Sequence, residues 1–192
     1  VIFHDDKIDE KSNGTGKISD YTYKELLEFD FGSWFSEEFE NEKIVLFEDF
    51  MKEVSSKDLI LAIELKEEGI EKETLEIIKK YYNKANVFIN SFIYNALLNV
   101  RKLDKTIKIG WLIKEDINQK NILEFMKISG NQICPPADLV SENGIKLARK
   151  NNLGVRLWGV SNENIMLKVY NLDIDGMTVN FPDKLNELIM NN

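Results

Sequence analysis

Cysteine occurs once in the 192 residues, at Cys134, so no disulfide can form within the chain and cysteine usage leaves its redox compartment undecided. Positive charge is also short. Lys and Arg number 25 against 33 Asp and Glu, a net charge of −8. Binding a phosphate backbone needs a basic face, so the acidic balance argues against nucleic acid as the main partner. A small anion held by one or two local cations is not excluded. No stretch approaches the roughly 18 consecutive apolar residues of a membrane span. The start, Val1-Ile2-Phe3-His4-Asp5, has neither an initiator Met nor a signal-peptide pattern, and it reads as the middle of a strand. Nothing points away from a cytoplasmic location, which is the expectation. The remaining composition, 43% hydrophobic and 30% charged, is that of one soluble domain over residues 1–192 with a sizeable core.

From residue 59 a single rhythm recurs. Short apolar runs, many β-branched, alternate with segments of helical period. The predicted strands are Leu59–Leu65, Asn86–Phe92, Ile107–Ile113, Asn131–Pro135, Gly154–Val160 and Ile174–Val179, their starts 20 to 27 residues apart. Helices are predicted over Glu71–Tyr82, Asp116–Ile128 and Ser141–Lys150, after Ser161, and over Asp183–Met190, with Pro182 suited to a first turn. This alternation means parallel βα units, in either an open doubly wound sheet or an incomplete eight-fold barrel. Residues 1–57 differ. They hold the Val1–Phe3 strand fragment, a turn-rich loop over Asp9–Gly16, a short helix over Tyr21–Phe29, an aromatic-rich irregular stretch over Phe31–Asn41, and a helix over Leu46–Val54.

Chemistry-bearing side chains fall at strand ends. His4, the single histidine, follows an apolar run and precedes Asp5. It reads either as a surface residue or as a general acid or base, with an unperturbed pKa of roughly 6.5. In Ile63-Glu64-Leu65-Lys66 the period-2 alternation puts Glu64 and Lys66 on one face. They are either a solvated strand end or a cation ligand beside a phosphate-binding ammonium. Phe92, Trp158 and Trp111 lie near strand ends, as packing residues or as substrate contacts. Asn13-Gly14-Thr15-Gly16 is similar to a phosphate-cradling loop without the strand–loop–helix context, and Gly176 is expected to serve a tight helix-to-strand turn.

Taken in order, these pieces resemble the glycerophosphodiester phosphodiesterase family. The family's His-Asp strand end is matched by His4-Asp5, and its Asn-Gly-Thr-Gly loop by Asn13-Gly14-Thr15-Gly16. Its Glu-Leu helix is matched by Glu25-Leu26, its Glu-Leu-Lys strand by Glu64-Leu65-Lys66, and its Ser-Phe strand end by Ser91-Phe92. Trp158-Gly159-Val160-Ser161 and Asp175-Gly176-Met177-Thr178-Val179-Asn180 match its last two strands. The resemblance implies a TIM-type βα barrel, divalent-cation (Ca²⁺ or Mg²⁺) dependence, and hydrolysis of glycerophosphodiesters to glycerol 3-phosphate and an alcohol. It implies His4 as general acid, Glu64 as metal ligand and Lys66 as the cation that neutralises the phosphoryl oxygens. Phe92 and Trp158 would be substrate contacts.

The departures are Glu10 and Lys11 in place of Arg-Thr, Asn180 in place of Asp, and Gly159 and Ser161 in place of Thr and Asn. The family's opening His-Arg-Gly strand and its Glu-x-Asp strand have no counterpart here. The expectation is therefore an incomplete barrel lacking its first two parallel strands, inactive as it stands. Its exposed sheet edges are expected to invite self-association. The alternative is a non-catalytic module that keeps a phosphate-binding mouth or scaffolds an assembly.

Overall fold

All six apolar runs are strands. In the computed structural model, which describes residues 1–191, β1 (Leu61–Glu64), β2 (Val87–Ser91), β3 (Lys108–Leu112), β4 (Gln132–Cys134), β5 (Gly154–Val160) and β6 (Gly176–Val179) form one parallel sheet in chain order. Parallel neighbours need a crossover. These are α3 (Glu71–Tyr81), α4 (Tyr94–Leu103), α5 (Gln119–Met126), α6 (Glu142–Lys150) and α7 (Glu163–Tyr170); α8 (Pro182–Met190) follows β6. Strict sequential order is that of a βα barrel, since a doubly wound sheet reverses its order at a switch point. Among the described residues β1 and β6 each pair on one side only, so the barrel is incomplete.

The pleat sorts the side chains. Val87, Ile89, Ile109, Ile133, Val155 and Leu157 are fully buried and share one face, the helix-covered core. Each such side chain contributes roughly 1.5–3 kcal/mol of burial. The other face is polar and small. One register row across five strands reads Glu64, Asn90, Gly110, Gln132, Gly154. Its glycines make room for neighbours: a Cβ on Gly110 would lie 2.2 Å from Asn90 Oδ1, and one on Gly154 would lie 2.7 Å from Asp175 Oδ2.

The chain divides into two compact units, Val1–Asp58 with Glu76–Tyr82, and Leu59–Leu75 with the residues from Asn83 on. The first contains α1 (Tyr23–Leu26) and α2 (Phe47–Val54). Its core is Ile8, Leu26 and Ile44, with Phe3, Tyr21, Phe29 and Phe31 packed around them.

Several expectations change. Val1–Phe3 is not a strand: the Ile2 amide donates to Val45 O, but no ladder forms. α4 was not foreseen. The cap of α7 is Asn162, which accepts from the Ile165 amide at 3.0 Å, rather than Ser161. Gly176 has ordinary φ and open space around it, so it serves no strained turn. Asp175 carries that corner instead, accepting from the Val155 amide at 2.6 Å and from Arg149 Nη1 at 3.0 Å. The Asn13–Gly16 loop cradles itself: the Gly14 amide donates to Ser12 Oγ and the Gly16 amide to Asp9 Oδ2. Those two donors are therefore spent and offer nothing to a phosphate.

Beyond α4, Asp104 closes a turn. Its carboxylate accepts from the Thr106 and Ile107 amides at 2.7 and 2.9 Å and pairs with Lys84 at 2.9 Å. Burial alone would raise its pKa, but the Lys84 ammonium and those hydrogen bonds outweigh it and hold the carboxyl well below the usual range. A depressed folded-state pKa means stability present above the unfolded pKa and lost as pH falls through the folded one. The stability advantage over Asp104→Asn, measured by urea unfolding, should stay constant from about pH 8 to 5 and shrink progressively below about pH 4.

Candidate active site

The second unit gathers charge at the carboxyl end of β1. Glu64 ends the strand on the polar face, opposite the buried Leu61 and Leu65. Two bonds from β2 pin the peptide between Glu64 and Lys66. The Leu65 amide donates to Asn90 O at 2.8 Å, and the buried Ser91 hydroxyl donates to Leu65 O at 2.7 Å. With the backbone held, Lys66 Nζ lies 2.9 Å from Glu64 Oε1, both side chains about one-third exposed. Strand alternation had placed them on one face, and the structure joins them in an ion pair that solvent reaches.

Phe92 and Trp158 also come together, edge to face with centroids 5.2 Å apart. Trp158 Nε1 donates to Ile113 O at 3.0 Å, which fixes the ring's tilt. Lys114, which was not singled out from the sequence, carries its ammonium 5.5 Å from the Phe92 ring centroid. It follows the end of β3 as Lys66 follows β1, so the strand-end signal that found Lys66 could have found it too.

Two further polar groups were missed. Asn90 is 1% exposed, and its Oδ1 has no partner. Arg156 donates through Nη1 to Thr178 Oγ1 at 2.6 Å, while its buried Nε also lacks a partner. Both side chains lie on the polar face, whose hydrogen-bonding groups the described residues do not all pair. Cys134 shares that face, and burial pushes its thiol up to about 11, leaving it a neutral packing group.

His4 belongs to the first unit. Its Nδ1 lies 2.7 Å from Asp5 Oδ1 and its side chain is largely exposed. An ionised carboxylate only accepts, so Nδ1 is the donor in this contact.

A hard divalent cation takes six or more oxygen ligands. Among the described residues no three of His, Cys, Asp and Glu converge as a metal site. Glu64, with one oxygen already engaged by Lys66, does not fit such an ion by itself.

The sequence profile of the Glycerophosphoryl diester phosphodiesterase family matches residues 1–184. A glycerophosphodiester phosphodiesterase of Caldanaerobacter subterraneus subsp. tengcongensis is 26% identical over 194 residues, covering 98% of this chain and 79% of that protein. One from Bacillus altitudinis is 26% identical over 191 residues, covering 96% and 78%. In fold, the chain is similar to a phosphodiesterase of Oleispira antarctica solved with the product sn-glycerol-3-phosphate. The TM-score is 0.88 at 24% identity, over 97% of this chain and 78% of that one.

Proposed function

The chain belongs to the glycerophosphoryl diester phosphodiesterase family, and from that membership we propose that its barrel hydrolyses a glycerophosphodiester to glycerol 3-phosphate and an alcohol. The observation that carries this reading is the Lys66–Glu64 pair at the carboxyl end of β1, where parallel βα folds place their chemistry. In the reaction, water adds to phosphorus, the bond from phosphorus to the alcohol oxygen breaks, and a proton ends on that oxygen. Lys66 offers a compact ammonium to the phosphoryl oxygens, where negative charge is greatest in the transition state. His4, doubly protonated and held by its Nδ1–H to Asp5, gives its Nε2 proton to the leaving alkoxide and is left as the neutral imidazole. Phe92 and Trp158 present aromatic faces and edges that hold the substrate's carbon skeleton. Glu64 would be one carboxylate of a divalent-cation set that the described residues do not complete.

Two measurements test this. In calorimetry, Ca²⁺ and Mg²⁺ added to the 192-residue chain should show no saturable binding below about 1 mM, because a lone carboxylate is a weak ligand. In a coupled assay for glycerol 3-phosphate, this chain should be silent, and a version completed with the family's His-Arg-Gly and Glu-x-Asp strands should turn over. A folded, completed barrel with no activity on any glycerophosphodiester would sink the catalytic reading in favour of the binding module.

A further inference from the structure

Cation–aromatic contacts recur along this chain. In the first unit Lys11 Nζ lies 3.7 Å from the Trp34 ring centroid and covers that face. In the second unit the Lys114 ammonium lies 5.5 Å from the Phe92 centroid, within the roughly 6 Å over which a cation feels an aromatic face. This second contact stands beside the proposed phosphate site.

The wall that Lys114 completes is built on one sheet. Phe92 follows β2, Trp158 lies in β5 and Lys114 follows β3. Phe92 and Trp158 meet edge to face at 5.2 Å, and Trp158 Nε1 donates to the carbonyl of Ile113, the residue before Lys114, at 3.0 Å. The Ile113 amide donates to Cys134 O at 3.0 Å, so the backbone that presents Lys114 is held to β4. Period-2 alternation from Gly110 brings Lys114 to the polar face at the carboxyl end of the sheet, the same face and end as Glu64 and Lys66. Strands β1 and β3 flank β2, and neighbouring strands lie about 4.8 Å apart, so Lys66 and Lys114 leave the sheet about 10 Å apart with Phe92 between them. Their flexible stems bring both ammonium groups within reach of one small diester lying across Phe92.

The two lysines differ in what they have left to offer. Lys66 Nζ is 2.9 Å from Glu64 Oε1, so part of its charge is already answered. Lys114 is exposed and pairs with no carboxylate among the described residues. Of its acidic neighbours in sequence, Glu115 is exposed, and Asp116 accepts from the Ile117 and Ser141 amides instead. An unanswered ammonium at the end of an aromatic wall sorts ligands by charge. It attracts an anion. It repels a cation, and it has already taken the Phe92 face that a ligand cation would seek. In the proposed reaction the glycerol half is uncharged in every substrate, so charge can vary only in the alcohol half.

We infer that Lys114 selects among alcohol portions by charge: one bearing an anion is preferred to a neutral one, and a neutral one to one bearing an ammonium. Each step is about threefold, the size of one ion pair that solvent reaches, and the full range about tenfold. The assignment to a diester rests on the phosphodiesterase reading above; the sorting by charge at the wall does not.

The probes are three size-matched diesters of glycerol 3-phosphate, with glycolate, ethylene glycol and ethanolamine as the alcohol. Release of glycerol 3-phosphate by a completed barrel gives kcat/KM for each. The ratio of the glycolate to the ethanolamine ester is then compared between variants, which cancels the unequal reactivity of the leaving groups. Lys114→Met, which keeps the stem against Phe92, should lower that ratio about tenfold, and Lys114→Arg should restore it. Salt at about 1 M should compress the ratio in the parent and leave it alone in Lys114→Met. The ethylene glycol ester should fall between the two. A ratio unmoved by Lys114→Met, including an equal loss on all three esters that would place the ammonium on the phosphate, overturns the inference and leaves the phosphodiesterase. If the completed barrel is inert to all three, the phosphodiesterase reading falls and binding decides for Lys114. The esters are then titrated into the 192-residue chain, and the indole N–H resonance of Trp158, assigned by its loss in Trp158→Phe, is followed by NMR. A saturable shift, tightest with the glycolate ester, weakest with the ethanolamine ester and without order in Lys114→Met, keeps Lys114 as the selector of a binding module. No shift, or an order that Lys114→Met leaves unchanged, overturns it.

Discussion

His4→Ala in a completed barrel is expected to slow release of an alkyl alcohol from a glycerophosphodiester by about 10²–10⁴-fold, the usual contribution of a positioned general acid. The loss should depend on the leaving group. An alkoxide is a poor leaving group and needs the proton as the bond breaks, whereas a nitrophenolate leaves unaided. The same variant should therefore hydrolyse a nitrophenyl phosphodiester at close to the parent rate. Asp5→Asn should lose part of what His4→Ala loses on the alkyl ester, because a neutral amide no longer stabilises the imidazolium that donates from Nε2. If His4→Ala lost as much on the nitrophenyl ester as on the alkyl one, proton donation would not be its role.

Arg101→Met should be the most damaging single change to the sheet unit. Arg101 is 8% exposed on α4, and its guanidinium donates to Ile128 O at 3.0 Å and to Ser129 O, Asp104 O and Asn131 Oδ1 at 3.1 Å each. Those acceptors lie on either side of β3. Asn131 Oδ1 also receives the Ile109 amide at 2.9 Å, so one planar fork stitches the end of α4 to the turn before β4. Ser129 sits in that turn at φ 52°, a left-handed conformation a serine adopts only when its surroundings hold it there. Burial disfavours the guanidinium's charge, and Asp104 partly offsets this. Methionine matches the stem but strands the carbonyls, a cost of about 3–5 kcal/mol. The expected drop in Tm is roughly 10 °C for a domain of this size. Arg101→Lys should recover only part of it, since a point ammonium cannot span four acceptors in one plane.

The strands were legible because the helix-covered face of the sheet demands an apolar, often β-branched residue at every second position, and Ile107–Ile113 or Gly154–Val160 could be little else. Glu64 and Lys66 were legible for the same reason in reverse, as polar interruptions with strand period. Helix α4 was not. Its cap position is Ile93, which supplies no side-chain acceptor, and the apolar residues around Phe92 run straight from strand into helix without punctuation. The orphaned Asn90 and Arg156 were hidden differently. Alternation puts Asn90 on the face of Glu64, but nothing in a pattern of twos says which face helices will cover. Val1–Phe3 misled because β-propensity describes a residue's fit to a ladder, and a ladder needs a partner strand. Lys11 and Trp34 lie far apart in sequence, and their stacking follows no period at all.

The order β1 to β6 has a consequence for biosynthesis. Each strand's ladder partner is the one just before it, so as the chain leaves the ribosome every new βα unit can dock on an edge already made, and no strand waits for a distant one. That order permits vectorial assembly, with the growing edge at the carboxyl-terminal side. Parallel pairing is slow because each addition must first close a loop of some twenty residues. During that wait the newest strand presents its unpaired amides and its Ile- and Val-rich face together. On such a route the most exposed moment would come late, when β5, the longest strand, is paired on one side and β6 has not yet been made.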